Sequence, residues 1–247
     1  MAKKVMTEMP LIKTAGIEST EISQADLNKI NQYTLEDLTA DDVFAFKVIA
    51  ADNEQDDRNG EPFNLKSLKN MKKLYPGKTV LKNHNRRDVD VQIGRVYAAE
   101  LVTDPERKTE LGEDHTDLIL KIYIVKTAGN ADLIQEIKAG IKKEVSTSTV
   151  PEKLICNICQ TENMKSFCRH YPGIKYRLED GSGQDKICKM IIDGVKEAYE
   201  LSFVTVPSQP RAGTTKSENE SENLHILYEE KADSLARKRL LDSYSIY

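Results

Sequence analysis

The stretch that decides the fold is Thr116 to Val125, "TDLILKIYIV". Ile, Leu, Tyr and Val fill it, polar residues bound it, and it is too short to serve as a long helix, so it reads as a strand. Working toward the N-terminus, "VQIGRVYAAELV" (91–102) and "KTVLKNH" (78–84) read as two more strands around a charged loop, "NRRDVD" (85–90). Before them, "LKSLKNMKKLY" (65–75) places Leu65, Leu68, Met71 and Tyr75 at helical spacing, with Asn64 as a cap and Pro76-Gly77 as a stop. Across the polar turn 52–62, Phe44, Phe46, Val48 and Ala50 alternate in "VFAFKVIAAD" (43–52), the period of a strand. Residues 1–42 lack a sustained period and read as an N-terminal arm with one short helix.

Toward the C-terminus, "NADLIQEIKAG" (130–140) predicts a short helix with Leu133, Ile134, Ile137 and Ile141 on one side and Gly140 near its end. "KKEVSTSTV" (142–150) reads as a strand, which sets Ser146 and Ser148 on one face. A cysteine-rich excursion spans 152–185. "QDKICKMIIDGVKEAY" (184–199) reads as a helix, and "ELSFVTVP" (200–207) as a last strand that Glu200 opens and Pro207 closes. From 211 the composition changes: "RAGTTKSENESEN" is a linker, and "LHILYEEKADSLARKRLLDSY" (224–244) is a candidate amphipathic helix. Runs of strands broken by few helices predict an α+β protein with a mostly antiparallel sheet or barrel. The expected domains are an arm (1–42), a main domain (43–211) that carries the 152–185 insertion, and a tail (212–247).

Composition bounds the function. The 247 residues carry 39% apolar and 31% charged residues, 6% aromatics and no Trp, which suits one ordinary domain with solvated extensions. A net charge of −4 argues against a dedicated nucleic-acid binder. No apolar run approaches the ~20 residues that span a bilayer, and "MAKKVMTEMPLIK" lacks the apolar core of a secretory signal. The expectation is a cytoplasmic setting without membrane contact, where the four cysteines stay reduced.

Three of those cysteines and one of only four histidines fall within fifteen residues: Cys156, Cys159, Cys168 and His170. A Cys-x-x-Cys pair and a Cys-x-His pair supply four N/S ligands, the donor set of a closed tetrahedral zinc site. Such a site leaves no open position, so its zinc is structural. Cys188, among Met190, Ile191 and Ile192, reads as a small packing residue.

Taken singly, the nucleophile candidates carry little. A histidine in a polar loop is usually just solvated, serines on half-exposed strands are commonplace, and a strand-end glutamate is ordinarily a surface charge. Together, "TVLKNHNRRDVDVQIGRV" (79–96), "IKKEVSTSTV" (141–150) and "YELSFVTVPSQPRAG" (199–213) resemble the prohead (head maturation) protease family of tailed bacteriophages. The resemblance covers roughly 43–211. In that family a His precedes an Ile-Gly-x-Val element, a nucleophilic Ser follows an apolar residue, and an acidic residue opens a Glu-apolar-Ser-apolar-Val-x-x-Pro strand.

That resemblance implies His84 as general base, Ser146 as nucleophile and Glu200 as the group that orients the imidazole. It implies a β-barrel flanked by helices, similar to the herpesvirus assemblin proteases, and through that fold a homodimer. It further implies a serine endopeptidase that trims scaffold and capsid proteins, and its own tail, inside an immature capsid in the host cytoplasm, with the portal as another neighbour. The sequence departs from the family in having "TSTV" and no glycine after Ser146. That leaves the oxyanion donors unassigned and Ser148 open as an alternative nucleophile. A catalytically dead assembly scaffold or adaptor of the same fold is the second reading. A zinc-dependent nucleic-acid binder is the third, and it rests on the cysteine cluster alone.

Overall fold

The computed structural model describes residues 22–178 and 181–214. The helix expected over 224–244 lies outside the described residues. Helix α1 (Gln24–Ile30) opens the description, with Ser23 as its cap accepting the Asp26 N–H. Strand β1 (Val43–Asp52) follows, then helix α2 (Leu65–Leu74), capped by the Asn64 side chain at the Ser67 N–H. Next come β2 (Thr79–Lys82), β3 (Gln92–Lys108), β4 (Asp114–Val125), helix α3 (Ala131–Lys138) and β5 (Val145–Pro151). A lobe is built from β6 (Leu154–Cys156), β7 (Lys175–Arg177), β8 (Asp185–Ile187) and β9 (Met190–Ile192). Strands β10 (Val195–Phe203) and β11 (Gly213–Thr214) complete the chain.

The main sheet has seven strands in the order β11-β1-β4-β3-β2-β10-β5, so the protein is α+β with a mixed sheet. All ladders are antiparallel except β2 with β10, which run parallel. These ladders do not by themselves close a barrel. The two outer strands meet only through an isolated bridge between Glu144 and Gly213, flanked by bonds from Thr214 N–H to Lys143 C=O (2.8 Å) and Val145 N–H to Ala212 C=O (3.4 Å).

Strand β4 is buried on both faces, which is why its sequence runs almost continuously apolar. Leu118, Leu120, Ile122 and Ile124 enter the main core with Phe44, Phe46 and Val48 of β1, Leu68 and Met71 of α2, and Leu133, Ile134 and Ile137 of α3. On the other face Tyr123 packs with Tyr97, Val43 and Ile30 beneath α1. Gly94 on β3 is fixed by proximity: an added Cβ would lie 2.6 Å from the Tyr123 carbonyl oxygen.

Several expectations are corrected. Residues 184–199 form strands, not a helix. In β10 the register shifts between Val195 and Glu197 and again between Ala198 and Glu200. Two bulges therefore bury Val195, Ala198 and Leu201 at intervals of three, which imitates a helical face. Glu200 consequently sits inside a nine-residue strand instead of opening one, and the strand ends at Phe203, before Pro207. Ile141 does not join the α3 face: Gly140 turns the chain at φ 71°, the Ile141 N–H bonds back to Glu136 C=O, and the Ile141 side chain is 71% exposed. The first four residues of the expected linker, 211–214, belong to the fold. Arg211 reaches Asp117 (3.0 Å) and Asp52 (3.4 Å), Ala212 is buried, and Gly213-Thr214 pair with β1. The cysteine-rich lobe likewise runs past 185, because β6 pairs with β9 up to Ile192.

Candidate functional site: a histidine–glutamate–serine cluster and a metal centre

His84 stands just past β2, where the parallel pairing with β10 ends. Asn83 donates its N–H to the Phe203 carbonyl at 3.0 Å, and both Asn83 (φ 57°) and His84 (φ 54°) turn left-handed to leave the sheet. His84 Nδ1 lies 2.8 Å from Glu200 Oε1. Glu200 is 1% exposed while the His84 side chain is 38% exposed, so a buried carboxylate holds an accessible imidazole. Ser202, two residues on and therefore on the same face of β10, donates its hydroxyl to Glu200 Oε2 at 2.7 Å and accepts the His84 N–H at 3.0 Å. Arg86 stacks over the Tyr199 ring at 4.6 Å and fastens the loop after His84 to the same strand.

The serines lie on the neighbouring strand in a register that can be read directly. Ser146 is paired with Ser202, and Ser148 with Glu200. Directly opposed residues point to one face with Cβ atoms about 5 Å apart, so all four side chains belong to one patch. Ser146 is 8% exposed and Ser148 is half-buried. On the reverse face Tyr75, which ends α2, is fully buried with its hydroxyl 3.3 Å from the Glu200 carbonyl oxygen. Burial, and next the Glu200 charge, push the Tyr75 hydroxyl far above its ordinary pKa, so it acts as a neutral donor beneath the site. The structure thus brings His84 and Glu200 into direct contact and sets Ser146 and Ser148 on the adjoining strand. In the sequence Ser202 appeared only as the serine of the Glu-apolar-Ser strand pattern and was given no role, although its two-residue offset from Glu200 on a strand was the available signal.

The second site lies in the lobe. Ligand atoms of Cys156, Cys159, Cys168 and His170 all fall within 4.8 Å of one another, and Cys156 Sγ is 3.7 Å from His170 Nδ1. A tetrahedral ion with Zn–S bonds of about 2.3 Å separates its sulfurs by about 3.8 Å, so the four can hold one metal ion. Local structure explains the convergence. After Cys159 the chain turns at Gln160 (φ 59°), whose N–H bonds to Cys156 C=O. Asn163 accepts the Cys168 N–H, and Tyr176 meets the His170 ring edge-on at 4.6 Å.

Burial pushes the Cys156 thiol up to about 12. Burial also raises Cys159, but hydrogen bonds with Thr161 and His170 outweigh it and bring that thiol down to about 6. The hydrogen bond with Cys159 in turn raises His170. Cys188 is fully buried beside Cys156 and Met190, a packing role reached from a loop and not from the expected helix. Comparison of the chain with profiles of known families, with curated proteins and with solved structures returned no significant match.

Proposed function

We propose that this chain is a serine endopeptidase of the prohead-maturation kind. The observation that carries the proposal is the buried Glu200 carboxylate on His84 Nδ1, with Ser146 one strand away on the same face. With Nδ1 committed to Glu200, Nε2 is the nitrogen that takes the Ser146 hydroxyl proton. Ser146 Oγ then attacks the peptide carbonyl, His84 returns the proton to the leaving amine, and water hydrolyses the acyl-enzyme. Glu200 accepts from Nδ1–H and so holds the ring in that tautomer.

On this reading the seven-stranded sheet is an assemblin-like barrel closed along the seam between 143–145 and 212–214, and a homodimer is its expected assembly. Substrates are phage scaffold and capsid proteins and the chain's own tail, cut inside the immature capsid in the host cytoplasm near the portal. The lobe holds one structural zinc, which serves folding and not catalysis.

The test is co-expression with neighbouring scaffold and capsid proteins, read by intact mass. Wild type shortens its partners or itself, and Ser146→Ala loses this by on the order of 10⁶-fold. Cleavage that survives in Ser146→Ala but not in Ser148→Ala moves the nucleophile to Ser148. One observation favours a second reading, a non-catalytic assembly scaffold or adaptor: Ser146 is 8% exposed, so the patch admits substrate only if the neighbouring chain yields. Capsids that assemble with every chain at full length would select it.

A further inference from the structure

We infer that Ser202 is a positioning residue that fixes both the location and the tautomer of the His84 imidazole. The inference rests on the peptidase reading and adds a residue outside the His84, Ser146 and Glu200 trio.

Three bonds form a closed circuit. The His84 N–H donates to Ser202 Oγ (3.0 Å), Ser202 Oγ donates to Glu200 Oε2 (2.7 Å), and Glu200 Oε1 meets His84 Nδ1 (2.8 Å). The direction of each bond is forced. A main-chain N–H only donates, an ionised carboxylate only accepts, and a hydroxyl has one proton to give. The Ser202 proton must therefore go to Glu200, and its lone pair must take the His84 N–H. Main chain and side chain of His84 are thus pinned through one hydroxyl, at a position that is wholly buried.

Ser202 reaches this point because β10 lies between β2, which delivers His84, and β5, which carries Ser146 directly opposite Ser202. Removing the hydroxyl takes one acceptor from the His84 N–H and one donor from Glu200 Oε2. The carboxylate then turns more freely, and the imidazole exchanges between tautomers. In the Nε2–H form the nitrogen needed by Ser146 carries a proton and cannot act as a base.

The test uses the full chain with ¹⁵N-labelled histidine, the His84 signals being assigned with a His84→Gln variant. Wild type should show the Nδ1–H tautomer for neutral His84, and Ser202→Ala a mixture of the two. In cleavage assays Ser202→Ala should lose about 10- to 100-fold in kcat with KM changed less than about twofold, and Ser202→Thr, which keeps the hydroxyl, should restore both readouts. A folded Ser202→Ala protein that keeps the wild-type tautomer overturns the inference. Should alanine prevent folding, Ser202→Cys, of similar volume and with only a weak donor, is titrated instead, and an unchanged tautomer there overturns it equally. The tautomer readout needs no substrate, so it judges Ser202 alone. Cleavage that persists in both Ser146→Ala and Ser148→Ala would instead remove the peptidase reading.

Discussion

Asn83 and His84 stand side by side in the left-handed region, where a non-glycine residue costs about 1–3 kcal/mol. The Phe203 carbonyl, the Ser202 hydroxyl and the Arg86–Tyr199 stack hold them there, so strain is concentrated where the His84 ring leaves the sheet. A second residue under stress is Asp52, 2% exposed at the end of β1. Burial pushes its carboxyl up from 3.8 to about 6, against the Glu54 N–H and the Arg211 charge. The folded pKa lies above the unfolded one, so Asp52 contributes stability below about pH 3.8 that is lost as pH rises through about 6. Asp52→Asn should therefore gain about 3 kcal/mol on wild type between about pH 4 and pH 7 in urea unfolding. Parallel stability curves would show that Arg211 already neutralises the buried charge.

At the scale of elements, what could be read in the sequence was what local chemistry dictates. Asn64 and Pro76-Gly77 bracket α2, and the apolar run in β4 announces a strand, whose burial on both faces the structure adds. Cys156, Cys159, Cys168 and His170 announced a ligand set by spacing alone, and their atoms converge. The 195–199 part of the expected helix was illegible because bulges in β10 turn a period of two into apparent steps of three, and bulges are set by partner strands. Ser202 could be seen as part of a strand pattern, but its bond to His84 could not, since the two are 118 residues apart.

The lobe gives the prediction proper to this scale. Its own apolar cluster holds only Cys156, Cys188 and Met190 as buried residues, too little to order it alone. A structural zinc contributes on the order of 10 kcal/mol to such a segment. Native mass spectrometry should find one zinc per chain. A chelator should then abolish amide protection over residues 154–192 while leaving β1, β3 and β4 protected. Unchanged protection of the lobe, with no zinc bound, would leave the three thiols and the His170 imidazole as a hydrogen-bonded cluster.

For the molecule as a whole, the His84–Glu200–Ser202 cluster lies at one end of the strand order, where β2, β10 and β5 lie together, while β1, β4 and β3 supply the core beneath α1. No helix among the described residues is long and apolar enough to cross a membrane. The seam between the outer strands has a kinetic meaning. Thr214 bonds to Lys143 only three positions before Ser146, so on the proposed peptidase reading the chain beyond it departs from the root of the strand that would carry the nucleophile. A tethered segment meets its site at a local concentration of about millimolar, set by chain length and not by how much protein is in solution. Loss of the tail should follow first-order kinetics with a rate constant unchanged by tenfold dilution, and a Ser146→Ala chain mixed with wild type should be trimmed far more slowly. Shortening that slows in proportion to dilution would mean that each molecule is cut by another.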